Sequence, residues 1–148
     1  MAKVFVSFDY DNDKHYKYLL EAWNANSRFT FIFDDGTPRE INSSNVGRIK
    51  AALTAKIREA THTLVIIGKH ANALHPNHRL IGYRNWINYE IAKSISEGNR
   101  LAAIKLDRAF TSPEVLSGAK PAWAHSFAEA YIIKALADAP YPAKQYEL

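Results

Sequence analysis

Thr63-Leu64-Val65-Ile66-Ile67-Gly68 is an unbroken run of β-forming residues stopped by a glycine. A strand with one wet face alternates apolar and polar residues; a run without alternation is buried on both faces, as the central strand of a parallel sheet is. Such a strand needs helices above and below it and crossover connections on either side. The flanking sequence supplies both.

Upstream, Val46, Ile49, Leu53, Ile57 and Ala60 recur at helical spacing and predict a helix that packs one face on the sheet. Residues 29–33 read as a strand that breaks at Asp34-Asp35-Gly36-Thr37-Pro38, with a polar segment continuing to about Ser44. Tyr16, Leu19, Leu20 and Trp23 predict an amphipathic helix ending near Asn26, with an Asp or Asn at 11–13 as its N-cap. Before it, residues 4–8 form a strand that ends abruptly in Asp9-Tyr10-Asp11-Asn12-Asp13.

Downstream, residues 69–85 carry His70, His75, His78, Pro76 and Gly82 with little periodicity, and read as an unusually long connection of the kind that often holds function. Residues 86–97 follow as a helix capped by Asn85 and stopped by Gly98-Asn99. Ile87, Ile91 and Ile95 form its core stripe; Trp86 and Glu90 form the adjacent row, at the edge of the buried face. A fourth strand spans 101–106, an irregular segment runs from 108 to 121, and Ala122-Trp123-Ala124 is a short fifth strand. Ser126 and Glu129 make a capping box ahead of Tyr131, Ile132, Ala135 and Leu136, and Pro140 and Pro142 end that last helix.

Strands alternating with helices imply a doubly wound, flavodoxin-like α/β fold with a parallel sheet of four or five strands. In the common order 2-1-3-4-5 the winding reverses between the first and third strands, and ligands bind beyond their carboxyl ends. The loops falling there are 7–13 and 68–85, and the second delivers Trp86 and Glu90. The same W-x-x-x-E spacing also suits a surface glutamate beside a core tryptophan.

At 148 residues and 47% hydrophobic, the chain fits one domain over 1–148, with a core of about 3–139 and a short tail from 140. There is no cysteine, no apolar run of signal or membrane-span length, and therefore an expectation of a cytoplasmic protein away from membranes. The net charge of +4 comes from scattered lysines and arginines, so a nucleic-acid partner is not expected. Asp9, Asp11 and Asp13 alternate like the start of a calcium loop, but Lys14 and Leu20 stand where that loop needs glycine and glutamate. The three loop histidines match no metal-ligand spacing, so no metal is expected. Neither a dinucleotide fingerprint, a P-loop nor a hydrolase elbow is present.

Four segments in order resemble the boxes of Toll/interleukin-1 receptor (TIR) domains: Val4-Phe5-Val6-Ser7-Phe8, Asp34-Asp35-Gly36, Leu64 to Gly68, and Trp86-x-x-x-Glu90. They are most similar to the bacterial TIR-like proteins that include the NAD-processing sensor of the Thoeris anti-phage system. The resemblance covers about 3–107; the 70–85 loop looks longer than usual, and the chain after Leu106 matches poorly.

The resemblance implies a TIR-type NAD+ nucleosidase or ADP-ribosyl cyclase, with NAD+ as substrate and no cofactor. Its nicotinamide–ribose bond would break to give nicotinamide and a linear or cyclic ADP-ribose product, a signal reaching an effector in antiviral defence. Glu90 would be the catalytic residue. Trp86 would wall the pocket and Phe8 offer an aromatic surface, with Ser7, Asp9 and the Lys69 backbone as further candidate contacts to ribose or phosphate. The 34–44 loop, with Asp34, Asp35 and Gly36, would mediate self-association. Some family members are adaptors without catalysis, so a binding module for a nucleotide or protein remains the alternative.

Overall fold

The computed structural model describes residues 2–23, 29–33 and 45–142. In chain order it contains β1 (Ala2–Ser7), α1 (Tyr10–Trp23), β2 (Phe29–Phe33), α2 (Val46–Glu59), β3 (His62–Ile67), α3 (His78–Ile81), α4 (Trp86–Ser96) and β4 (Arg100–Lys105). A 3-10 turn (Glu114–Leu116), β5 (Ala122–Trp123) and α5 (Glu129–Asp138) complete it. The strands form one sheet in the order β2-β1-β3-β4-β5, every pairing parallel, so the fold is a doubly wound α/β sheet with its reversal between β1 and β3.

Strand alternation sorts the side chains into two layers. Val4, Val6, Leu64, Ile66, Ala102 and Ile104 face α1 and α5, meeting Leu20, Ile132 and Leu136. Phe5 faces Ile49, Leu53 and Ile57 of α2, while Val65, Ile67, Leu101 and Ala103 face Ile87 and Ile91 of α4. Ser7 shares the parity of Phe5 and so turns toward the α2/α4 layer. All six residues of β3 are buried, His62 among them together with the unbroken run from Thr63 to Ile67.

The structure moves several boundaries. The first strand ends at Ser7, which leaves Phe8 in the loop. The first helix begins at Tyr10, because the Asp13 N–H already bonds the Asp9 carbonyl at 2.8 Å. Asp11 and Asp13 therefore lie inside the helix instead of capping it, and Asn12 Nδ2 donates to Asp9 Oδ2 at 2.6 Å. The long connection is not wholly irregular, since it folds the short helix α3.

The last helix starts at Glu129, and its N-cap, Ala128, makes no side-chain bond. The expected capping box fails because the Ala128 N–H turns back to the Ser126 carbonyl, while Phe127 packs on Tyr16 and Trp23. Ile95 is 45% exposed and so is not core. Each four-residue step overshoots a full turn by about 40°, which carries Ile95 about 80° round from Ile87. Leu19 and Tyr131 are likewise exposed. The expected helix end at Asn26, the 34–44 loop with Asp34, Asp35 and Gly36, and residues 143–148 of the tail lie outside the described residues.

Candidate active site

The carboxyl ends of β1 and β3 open into a cleft of about 330 Å³, small for a ligand site. The loop after β1 supplies Phe8, Asp9, Tyr10, Asp11 and Asn12 to its lining; the β3–α4 connection supplies His70, Leu74 and His75, and the start of α4 supplies Trp86. Phe8 and Tyr10 are tilted against each other at 5.9 Å, and Trp86 stands edge-on to Tyr89 at 5.6 Å, so the walls are aromatic and fixed.

Glu90 lies one helical turn below Trp86, about 6 Å along the axis. Ser7 Oγ donates to Glu90 Oε1 at 2.7 Å, a buried bond joining the end of β1 to α4. Glu90 is 1% exposed and does not line the cleft. The expected position at the edge of the buried face is therefore corrected. Glu90 is only about 60° from Ile87 around the helix, inside the arc turned to the sheet. The first two turns are moreover enclosed on their other sides by α2 and the 3-10 turn. Below Glu90 a polar stripe continues: Ser94 Oγ donates to the Glu90 carbonyl at 2.8 Å and meets Thr63 Oγ1 at 2.7 Å.

Of the expected contact residues, Phe8, Asp9 and Trp86 line the cleft, Ser7 lies beneath it against Glu90, and Lys69 is exposed outside it. Asn85 caps α4 as expected, its side-chain oxygen accepting the Asn88 N–H at 2.9 Å. Its Nδ2 also donates to the carbonyls of Ala71 and Ala73, at 2.9 Å each, which ties the helix start to the cleft wall.

Three features escaped the sequence reading. His75 Nδ1 accepts the Asn77 N–H at 2.9 Å, and burial pushes its pKa down, so the ring is neutral with its proton on Nε2. Asp13 is buried in α1 with Oδ2 unbonded among the described residues; desolvation, then the charge of Asp9, push its pKa up. Its carboxylate lies so close to Gly68 that a Cβ there would meet Oδ2 at 2.0 Å. The glycine that stops β3 is therefore favoured by a neighbour 55 positions earlier in the chain, for which no local signal exists. Third, Asn72 and Asn88 bond each other; only the Asn85-x-x-Asn88 spacing hints at that cluster.

No group of three His, Asp or Glu side chains placed for a metal occurs among the described residues, and no helix among them is long and apolar enough to cross a membrane.

Comparison with known proteins agrees with this architecture. A 2-deoxyribosyltransferase from the psychrotolerant bacterium Bacillus psychrosaccharolyticus superposes with a TM-score of 0.60 at 12% identity, covering 97% of this chain and 100% of that one. At that identity the likeness is one of fold. No curated protein matches. The family described as "Thoeris protein ThsB, TIR-like domain" matches residues 5–110, from β1 through β4 and with the cleft inside it. Spanning well over half of the sequence, that match makes the chain a member of the ThsB TIR-like domain family of Thoeris proteins.

Proposed function

We propose that the protein is a TIR-type NAD+ glycohydrolase or ADP-ribosyl cyclase acting in anti-phage defence, with Glu90 as its catalytic residue. The observation that carries this reading is the Ser7–Glu90 pair, a buried, oriented carboxylate at the sheet's switch point beside an aromatic cleft. The nicotinamide of NAD+ is a cationic leaving group. When its bond to the ribose anomeric carbon breaks, the bonding pair neutralises the pyridinium nitrogen and leaves an oxocarbenium-like ribosyl group. No acid is needed for departure. A carboxylate in a low-dielectric site stabilises the developing charge and holds a ribose hydroxyl. Water then gives linear ADP-ribose with release of a proton; a hydroxyl of the same molecule gives a cyclic product.

In this reading Phe8, Asp9 and Trp86 contact the substrate, Ser7 orients Glu90, and Lys69 contributes through its backbone. Glu90 lies outside the cleft lining, so on this reading the site must open before the carboxylate meets the ribose, a gating step of the kind that often limits turnover. Self-association through the 34–44 loop and an effector reached through the product complete the proposal, with activity in the cytoplasm.

One observation favours a second reading, a non-catalytic module that binds a nucleotide or protein: Glu90 is 1% exposed and outside the cleft lining. The two separate on incubating NAD+ with concentrated protein and with Glu90→Ala, and resolving products by chromatography. Catalysis predicts nicotinamide release that falls at least 100-fold in the variant, the scale of losing one transition-state stabiliser. Equal turnover by both proteins removes Glu90 from its role. Calorimetric binding of NAD+ with no product from concentrated, assembled protein supports the module. Light scattering that finds only monomer in every active condition excludes the self-association.

A further inference from the structure

Asn88 is fully buried on the side of α4 away from Glu90, and every polar atom of its side chain is engaged. Its Nδ2 donates to Asn85 Oδ1 at 2.9 Å and to Asn72 Oδ1 at 3.2 Å, and its Oδ1 accepts the Val115 N–H at 2.9 Å. Asn72 Oδ1 also accepts the Glu114 N–H at 3.0 Å. Asn85 closes the circuit through the Ala71 and Ala73 carbonyls. Three asparagines thus bind together the wall of the cleft, the first turns of α4 and the 3-10 turn after β4. None of these bonds belongs to the helical or strand ladders, and several of these groups are buried, where an unmade bond is costly.

We propose that Asn72 and Asn88 are positioning residues, whose network fixes the rotation of α4 and so the place of the Glu90 carboxylate and the Trp86 ring. The inference rests on the proposed role of Glu90 and names residues that do not line the cleft. Asn88 lies on the turn that carries Glu90. With its side chain cut, α4 loses its bonds to Asn72 and to the 3-10 turn and keeps on that side only the Asn85 bonds at its N-cap, which leave the next turn freer to rotate. A displacement on the order of 1 Å at a reacting group costs about 100-fold in rate.

Asn72 gives the cleaner test because it is only half-buried and its side chain bonds through its oxygen, while its backbone carbonyl, which accepts from Arg84 Nε, is untouched by substitution. Asn72→Ala removes both accepted bonds. Asn72→Asp keeps an acceptor for both. NAD+ turnover is measured for the wild type and for Asn72→Ala, Asn72→Asp and Asn88→Ala, each also in a Glu90→Gln background, with hydrogen exchange of the α4 amides followed on the same proteins. The expected result is a kcat lowered about 10-fold in Asn72→Ala and about 100-fold in Asn88→Ala, with KM within 2-fold, recovery in Asn72→Asp, and no further loss in the Glu90→Gln background. A role confined to folding lowers residual turnover equally in both backgrounds and overturns the inference, as does full kcat in Asn72→Ala. A wild type that leaves NAD+ intact overturns the Glu90 assignment instead. The network is then judged on exchange: faster exchange at Tyr89 and Glu90 in Asn72→Ala upholds it, and unchanged exchange overturns it.

Discussion

Placing a methyl group on Gly68 tests how the sheet and α1 fit together. An added Cβ would stand 2.0 Å from Asp13 Oδ2, 2.7 Å from Cγ and 2.9 Å from Oδ1. Ordinary contact begins at 3.4 Å, so Oδ2 must retreat by about 1.4 Å. Asp13 is buried, and its backbone is held by the bond from its N–H to the Asp9 carbonyl. The strain therefore passes to the start of α1 and to the Phe8–Asp9 wall of the cleft. Overpacking of this kind costs about 1–3 kcal/mol. For a chain of this size it corresponds to a melting temperature lower by about 3–10 °C. The assay is thermal and urea unfolding of Gly68→Ala, Asp13→Ala and the double variant. If the clash is the cause, truncating Asp13 removes its partner, and the double variant recovers at least about 1 kcal/mol relative to additivity. An unchanged midpoint in Gly68→Ala, or the same loss with and without the Asp13 carboxylate, refutes the account.

Other outcomes follow from the same geometry. Ser7→Ala removes the donor to Glu90 Oε1 and is expected to lower stability by about 1–3 kcal/mol, the range for leaving a buried acceptor without its partner, as read from the urea midpoint; no change would mean the bond is replaced. The pKa of Asp13 is raised, so the folded form holds its proton more tightly than the unfolded chain, and its contribution to stability declines as pH climbs from 3.8 through the raised value. Asp13→Asn is therefore expected to gain stability over wild type at pH 7 and to lose that advantage below 3.8; a constant difference across the range contradicts it. Burial first, and Arg100 second, hold the pKa of His62 below 6.5. Below that pH the unfolded chain takes up a proton that the folded form refuses, so stability falls with acidification, and His62→Asn flattens the wild-type slope between pH 7 and 5 in urea titrations.

The layers of this fold were legible because they follow from repeating patterns. The unbroken run at β3 and the 3.6-residue stripe of α2 report burial directly, and with the strand–helix alternation they pointed to a doubly wound sheet, whose common order 2-1-3-4-5 is the one found. Asn85 was legible for another reason: an N-cap is a contact between residues three apart. The depth of Glu90 was not. Periodicity separates a helix's core side from its wet side, and α4 has no wet side over its first two turns because α2 and the 3-10 turn close around it. The Asp13–Gly68 contact and the Asn72–Asn88 bond join segments whose meeting depends on the finished fold. The failed capping box at Ser126 is the converse, a valid local motif overruled when Phe127 is drawn onto Tyr16 and Trp23.

The bond between Ser7 and Glu90 joins residues 83 positions apart in the chain, and this sets when the site comes into being. At roughly 5–20 residues per second, synthesis takes about 4–17 s to run from one to the other. In the last part of that interval, once residue 67 has been made, β1, β2 and β3 are all available to pair while the helix bearing the carboxylate is still missing. Loop closure over so long a span is among the slower steps of folding. A nascent or truncated chain that stops short of α4 therefore has much of the sheet and no Ser7–Glu90 pair. On the proposed reading, turnover of NAD+ cannot begin before α4 has been made and has docked on β1.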